Sequence, residues 1–509
     1  MLSVMLRVIP KFKGFRAWAS MLLPQSQICN DNVSGILQPA PPTIDASDFV
    51  REMQALPLPV LRQQQVATKW TTGDYLMGDP QRVEVMVPKE INLHRWRVMD
   101  RLDHNKDRRR GNTHAVIVAG AQAIPGYPFR QSAEFLYVCD CLLPGVVLLL
   151  MRNRQLELRT ILFQPLEKEE MDPALAKLAC QRFNVDEVLS MLSLRKTLYQ
   201  RLQHVTAKLW YTPDNSPVSQ AIKDVADELK LPIDCPRHLM QHVRSFKTKR
   251  ELVAIRRANS IAAQSLQELM AEHDAQHDDR QLGLMFAHKC RERHAHLPLP
   301  YEPRLAPGIG NVWLMDASCQ YAGYYGGLAR YWSVCGRFKP PQKMLYNMLV
   351  EMRSKLCFLI RTSNSVVRTP RELHAAYLIL LAEQLQELRV LPTNLIRQSD
   401  MLKAVARFNC FSTLVRHVGL DYGESSDQLL NYHLMPGNVI SMQLSIYIPN
   451  DCLQAYPEFR GVLSILNDCI HITDSRELEL LTGDCVSKSR DVEELRCSRK
   501  RPFPKSMVN

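Results

Sequence analysis

Four things are missing from this chain of 509 residues, and each absence narrows what it does. It has no uninterrupted apolar run of ~20 residues, so no membrane-spanning helix is expected. It has no glycine-rich phosphate loop, which argues against nucleotide binding. Its 14 cysteines follow no framework spacing, and Cys139-x-Cys141 is too short for a CxxC zinc or redox motif. Free, mostly buried thiols in a reducing compartment are expected instead. Finally, no acidic residue precedes Asp31.

That last absence goes with Arg7, Lys11, Lys13 and Arg16, with serines and with apolar residues. The composition is that of a mitochondrial transit peptide over residues 1–30, and a matrix location is expected. Pro10 interrupts any helix there, so composition rather than periodicity carries the reading. The whole chain has 64 basic and 52 acidic residues, a net +12, and taking away the four leader cations leaves +8. So modest an excess calls for no nucleic-acid partner.

Residues 31–90 are rich in proline, glutamine and threonine and read as a connector, with a short helix around Ala46–Leu56. Leu93–Arg110 is apolar at helical spacing and ends in the basic run Arg108–Arg110. Short apolar runs at Ala115–Val118, Phe135–Val138, Val146–Met151, Thr160–Phe163 and Leu209–Tyr211 read as strands. Helical patterns cover Met171–Phe183 and Val185–His204, and together these segments predict an α/β domain over residues 91–236. An α+β domain is expected over 237–480. Its helices are Arg237–Lys247, Lys249–Met270, Leu282–His296, Gln342–Leu359 and Pro370–Leu388. Its late strands are Val439–Ile448 and Leu463–Ile472. Residues 481–509 are expected to form a tail, polar and basic from Lys488 onward.

Between those helices lies LMDASCQYAGYYGGLARYW, Leu314–Trp332. Val312–Met315 reads as a strand ending at Asp316, and Tyr321–Tyr331, broken by Gly323, Gly326 and Gly327, as a second strand folding back on it. Alone, Asp316 would be an ordinary turn aspartate.

With AEFLYV at Ala133–Val138, FKTKRELVAIRRA at Phe246–Ala258, VGLDYGE, VISMQLSIYIP and FRGVLSILNDCIHIT in this order, the chain resembles the aminopeptidase P family of pita-bread metallopeptidases. The likeness spans residues 90–497 and is greatest to the family's mitochondrial Xaa-Pro aminopeptidase branch. It implies an N-terminal α/β domain followed by a C-terminal pita-bread domain. It also implies an ancestral reaction, removal of the residue that precedes a proline at a peptide's N-terminus. Two divalent ions, typically manganese, serve that reaction in the family, held by two aspartates, a histidine and two glutamates.

Position by position, the resemblance places those ligands on Asp316, Gly327, Arg416, Gln443 and Asn467. Four of the five have changed. Two further histidines of the family read Ser412 and Gly423, and a substrate-facing histidine before Val312 has no counterpart. Four carboxylates facing two dications become one carboxylate and one guanidinium, a net charge of zero. A buried guanidinium needs a partner, so an Asp316–Arg416 pair is expected across the former site. The expected protein is therefore a mitochondrial, catalytically inactive relative with no catalytic residue, no metal ligand and no cofactor. Its expected role is structural or the binding of a protein or peptide, as a homodimer or as a heterodimer with an active relative. Arg330, Asp421, Tyr447, Gly461 and Asp468 match family positions that can serve packing or hydrogen bonding without metal. The alternative is a manganese-dependent aminopeptidase in which Asp316 regroups with some of His417, Asp421, Glu424 and Asp468 around an altered or single-metal site.

Overall fold

A computed structural model describes residues 87–498 apart from 104–112, 125–128, 153–156, 167–171, 206–207, 274–276, 363–367, 391–404 and short breaks at 296, 299–303, 306–311, 406, 425 and 454. The leader, nearly all of the connector with its helix at 46–56, the basic run at 108–110 and residues 499–509 lie outside the described residues.

The first unit begins with α1 (Pro88–Asp103) and continues through β1 (His114–Ala119), α2 (Ala133–Val138), β2 (Val147–Arg152), β3 (Leu158–Gln164), α3 (Pro173–Phe183), β4 (Glu187–Ser190), α4 (Leu194–Leu202), β5 (Lys208–Tyr211), α5 (Pro217–Glu228) and β6 (Ile233–Asp234). The strands form one sheet in the order β4-β3-β2-β1-β5-β6. Its centre is apolar on both faces because both are covered. Ala115, Ile117, Leu149 and Ile161 pack in one core with residues of α4 and α5, while Val116, Val118, Leu148 and Leu162 join the larger core on the other side.

Two local expectations fail here, and one helix was missed. Phe135–Val138 is helical, because Ser132 caps the turn by accepting from Phe135 N at 3.3 Å, and enclosure lets the helix be apolar on nearly every side. A short apolar run does not reveal its own period. Residues 187–190 form β4, parallel to β3, and only Leu194–Leu202 of the expected helix is α-helical. Helix α5 was not anticipated, although Ser216 followed by Pro217 is a start signal: the serine accepts from Ser219 N.

The second unit contains α6 (Arg237–Ser245), α7 (Lys249–Glu272), α8 (Asp279–Glu292), β7 (Leu297–Pro298), β8 (Arg304–Leu305), β9 (Val312–Tyr321), β10 (Tyr324–Ser333), α9 (Pro340–Arg361) and α10 (Pro370–Glu387). It ends with β11 (Val415–Val418), β12 (Tyr422–Glu424), β13 (Val439–Tyr447), β14 (Leu463–Ile472), β15 (Leu478–Leu480) and α11 (Ser489–Ser498). Nine strands form one sheet, with the central order β12-β11-β13-β14-β10-β9-β7. Capping boxes start α7 at Thr248 with Glu251 and α10 at Thr369 with Glu372.

The β9–β10 hairpin turns at Ala322 and Gly323, whose φ angles of 49° and 82° are the pair of positive values a two-residue turn requires. Asp316 therefore lies within β9, not at its end. Helix α7 packs on this hairpin so closely that a β-carbon on Gly326 would stand 2.3 Å from Asn259 N. Only glycine fits there. Residues 481–498 are no loose tail: α11 carries Arg496, buried, whose guanidinium donates to the carbonyls of Met270, His273 and Val334. Among the described residues no helix is long and apolar enough to cross a membrane.

Candidate functional site

Residues paired directly across an antiparallel ladder point to the same face. Asp316 pairs with Ala329, Ala329 with Asn467, and Asn467 with Gln443. Gly327 lies two residues from Ala329, and Arg416 pairs with Ser441, two residues from Gln443. All five positions that the resemblance marks for metal ligands thus share one face of the nine-stranded sheet, on β9, β10, β11, β13 and β14. The inner ones, Gly327, Gln443 and Asn467, are buried, while Asp316 and Arg416 at the two ends are partly exposed.

The chemistry of this row is amide chemistry. Ser441 donates its hydroxyl to Asn467 Oδ1 at 2.7 Å, and the buried Gln443 Oε1 has no hydrogen-bond partner among the described residues. Gly327 offers only its backbone, and its N–H donates to Asn259 Oδ1 at 3.1 Å. Two dications held close together need bridging carboxylates to offset their repulsion. A set of one carboxylate, two amides, a glycine and a guanidinium does not meet that need.

The expected Asp316–Arg416 ion pair is absent from the contacts among the described residues. Arg416 is instead folded over β12: a β-carbon on Gly423 would meet its Cδ at 3.0 Å. Arg416 Nε has no hydrogen-bond partner among the described residues.

Among the described residues, His417, Asp421 and Asp468 do not regroup around Asp316 either. His417 and Asp468, each adjacent in sequence to a cleft-facing position, point to the opposite face. His417 is pushed down to about 3 by burial, with Lys247 and His242 adding to the effect, and is therefore neutral. Asp468 is enclosed with Arg330, Arg353 and Thr482. Asp421 accepts from Arg130 at 3.2 Å and from Arg244 at 2.9 Å, joining the two units. The side chain of Glu424 lies outside the described residues.

Comparison with known proteins fits this architecture. The model described as "Metallopeptidase family M24" matches residues 300–475, and "Aminopeptidase P, N-terminal domain" matches residues 93–210. Xaa-Pro aminopeptidase 3 of Rattus norvegicus is 25% identical over 450 residues, covering 81% of this chain and 86% of that protein. The mitochondrial intermediate cleaving peptidase 55 of Arabidopsis thaliana is 25% identical over 394 residues, covering 72% and 75%. Among solved structures, the low-pH form of Escherichia coli aminopeptidase P superposes with a TM-score of 0.70 at 20% identity, covering 82% of this chain and all of that one. The chain thus carries an aminopeptidase P N-terminal domain and a metallopeptidase M24 domain and is similar along most of its length to Xaa-Pro aminopeptidases. Its sheets are those of an aminopeptidase P N-terminal domain and a pita-bread domain.

Within this aminopeptidase P framework, sequence reading missed how the units are joined. Arg130, Arg244 and Asp421 are far apart in the chain, and Arg130 also lies over the Tyr325 ring at 4.9 Å. A second junction brings Glu90 and His94 of α1 to Glu251 of α7. It is the one group of three or more His, Cys, Asp or Glu among the described residues close enough to share an ion. The spacing Glu90-x-x-x-His94 was visible in the sequence, but its third member comes from another unit.

Proposed function

We propose that this aminopeptidase P-like chain has lost the binuclear manganese site, does not hydrolyse Xaa-Pro peptides, and uses the pita-bread scaffold to bind a protein or peptide or to support an assembly. The observation that carries this reading is the row Gly327, Arg416, Gln443 and Asn467, which supplies no carboxylate on the face where the family holds its metals. The commitments of His417, Asp421 and Asp468 elsewhere support it further. The intact two-unit fold favours a selected role over decay, because buried pairs and tight glycine contacts are costly to keep by chance.

A mitochondrial matrix location is part of the proposal. It is supported by the acid-free basic leader and by the mitochondrial relative from Arabidopsis thaliana. So is assembly as a homodimer or with an active relative. Purification with an intact relative would support the heterodimer, and an isolated homodimer would count against it.

Metal analysis and peptide cleavage test the functional reading together. Fewer than one Mn²⁺ per chain at the cleft and no release of the first residue from an Xaa-Pro peptide are the expected results. Two Mn²⁺ per chain with turnover would establish the active aminopeptidase instead.

A further inference from the structure

We propose that Glu90, His94 and Glu251 form a binding site for one divalent cation of the Zn²⁺ type, lying between the two units and separate from the pita-bread cleft. Glu90 and His94 lie one helical turn apart on α1, and Glu251 is the third residue of α7. All three are nearly inaccessible, at 8%, 0% and 1% exposure.

The imidazole orientation is fixed from two sides. Nδ1 lies 2.9 Å from the backbone oxygen of Tyr137, and a carbonyl only accepts, so Nδ1 carries the hydrogen. The ring also stacks on Tyr137 at a centroid distance of 4.0 Å. Nε2 is thereby aimed at the carboxylates, 3.9 Å from Glu90 Oε1 and 3.7 Å from Glu251 Oε2. Both separations are too long for a hydrogen bond. Nε2 and Glu90 Oε1 have no hydrogen-bond partner among the described residues, although both are buried. Two such atoms facing each other across a gap mark a place for something between them.

The gap has the size and charge of a cation site. The three ligand atoms lie within 4.8 Å of one another, and roughly an ångström of closure brings each to the ~2.0–2.2 Å typical of zinc. Two carboxylates and a neutral imidazole give −2, which one dication cancels. Lys247 is close enough for its charge to act on Glu251, and its ammonium also donates to the Arg244 carbonyl. An imidazole whose other nitrogen donates to a carbonyl is the arrangement that orients a metal-bound histidine. Glu251 is itself held in place, accepting from Thr248 N at 2.7 Å and from Tyr324 Oη at 3.2 Å. One imidazole with two carboxylates suits Zn²⁺ better than Mg²⁺ or Ca²⁺. Bound there, the ion would pin α1 to α7 and fix how the units meet.

A second proton on His94 would also bridge the carboxylates, and the experiment separates the two. In the full chain with exposed Cys335, Cys410 and Cys497 changed to Ser, Zn²⁺ is removed by chelation and titrated back by calorimetry, with Co²⁺ absorption as a second readout. One Zn²⁺ per chain is expected, with a rise in thermal midpoint. Glu90→Gln and His94→Gln should each lower the affinity at least tenfold and abolish the rise. Glu90 lies at the edge of the site, so Glu90→Gln keeps the test alive if His94→Gln fails to fold. No Zn²⁺ binding by the parent protein, or undiminished binding by a folded Glu90→Gln variant, would overturn the proposal in favour of the proton.

Discussion

Arg330 and Asp468 form a fully enclosed ion pair, Nη2 to Oδ1 at 2.7 Å, on the face of the nine-stranded sheet that turns away from the cleft. Arg330 uses its remaining donors on the carbonyls of Ala329, Cys485, Val486 and Asn467, while Arg353 and Thr482 complete Asp468. A buried pair with every donor and acceptor matched holds its place, and removing one partner leaves an uncompensated charge. Asp468→Asn should therefore cost about 3–5 kcal/mol in denaturant unfolding. Burial alone would raise the Asp468 pKa, but Arg330 and Arg353 more than reverse that and the net shift is downward. A depressed carboxylate stabilises above its unfolded pKa of about 3.9 and loses that contribution as the pH falls toward the folded value. The gap between wild type and Asp468→Asn should narrow below pH ~4, and a gap constant down to pH ~2 would count against the pair.

Gly326→Ala tests how closely α7 lies on the hairpin. The added methyl meets backbone, not a flexible side chain, so the helix must shift. Overpacking of this kind costs about 1–3 kcal/mol, and the loss should appear as a lowered denaturant midpoint with an unchanged slope. Unaltered stability would mean that α7 stands farther from β10.

Arg496 supports the last helix by satisfying three carbonyls from α7, its C-terminal cap and the end of β10. Arg496→Met should weaken the chain by about 1.5–3 kcal/mol and speed amide exchange throughout Ser489–Ser498. Exchange unchanged in that helix would show that it is held by other contacts.

The register itself can be tested by restoring the ligands that the family carries. A variant with Gly327→Asp, Arg416→His, Gln443→Glu and Asn467→Glu should bind Mn²⁺ beyond whatever the unsubstituted chain binds, measured by loss of the free-ion resonance. A folded variant with no added Mn²⁺ would mean that the five positions do not converge.

Much of this was legible beforehand, for identifiable reasons. Long amphipathic helices such as the one expected over Lys249–Met270 announced themselves through the spacing of their apolar residues, and the late strands through runs rich in apolar and β-branched residues. Phe135–Val138 was misread because enclosure, not period, decides its form. The Asp316–Arg416 pair was misplaced because charge reasoning could not foresee that the Arg416 side chain is folded over β12. The fold of residues 481–498 was hidden because a polar segment can be held by one buried arginine. The junctions at Asp421 and Glu251 join residues far apart in sequence, and no local pattern reveals them.

The central claim, that the cleft carries out no family chemistry, is tested most directly by incubating the purified chain with an Xaa-Pro peptide across a range of Mn²⁺ concentrations and measuring release of the first residue. The account predicts no release above the peptide alone at any Mn²⁺ concentration, with His94→Gln making no difference. Turnover that rises with Mn²⁺ and disappears in Asp316→Ala would contradict it.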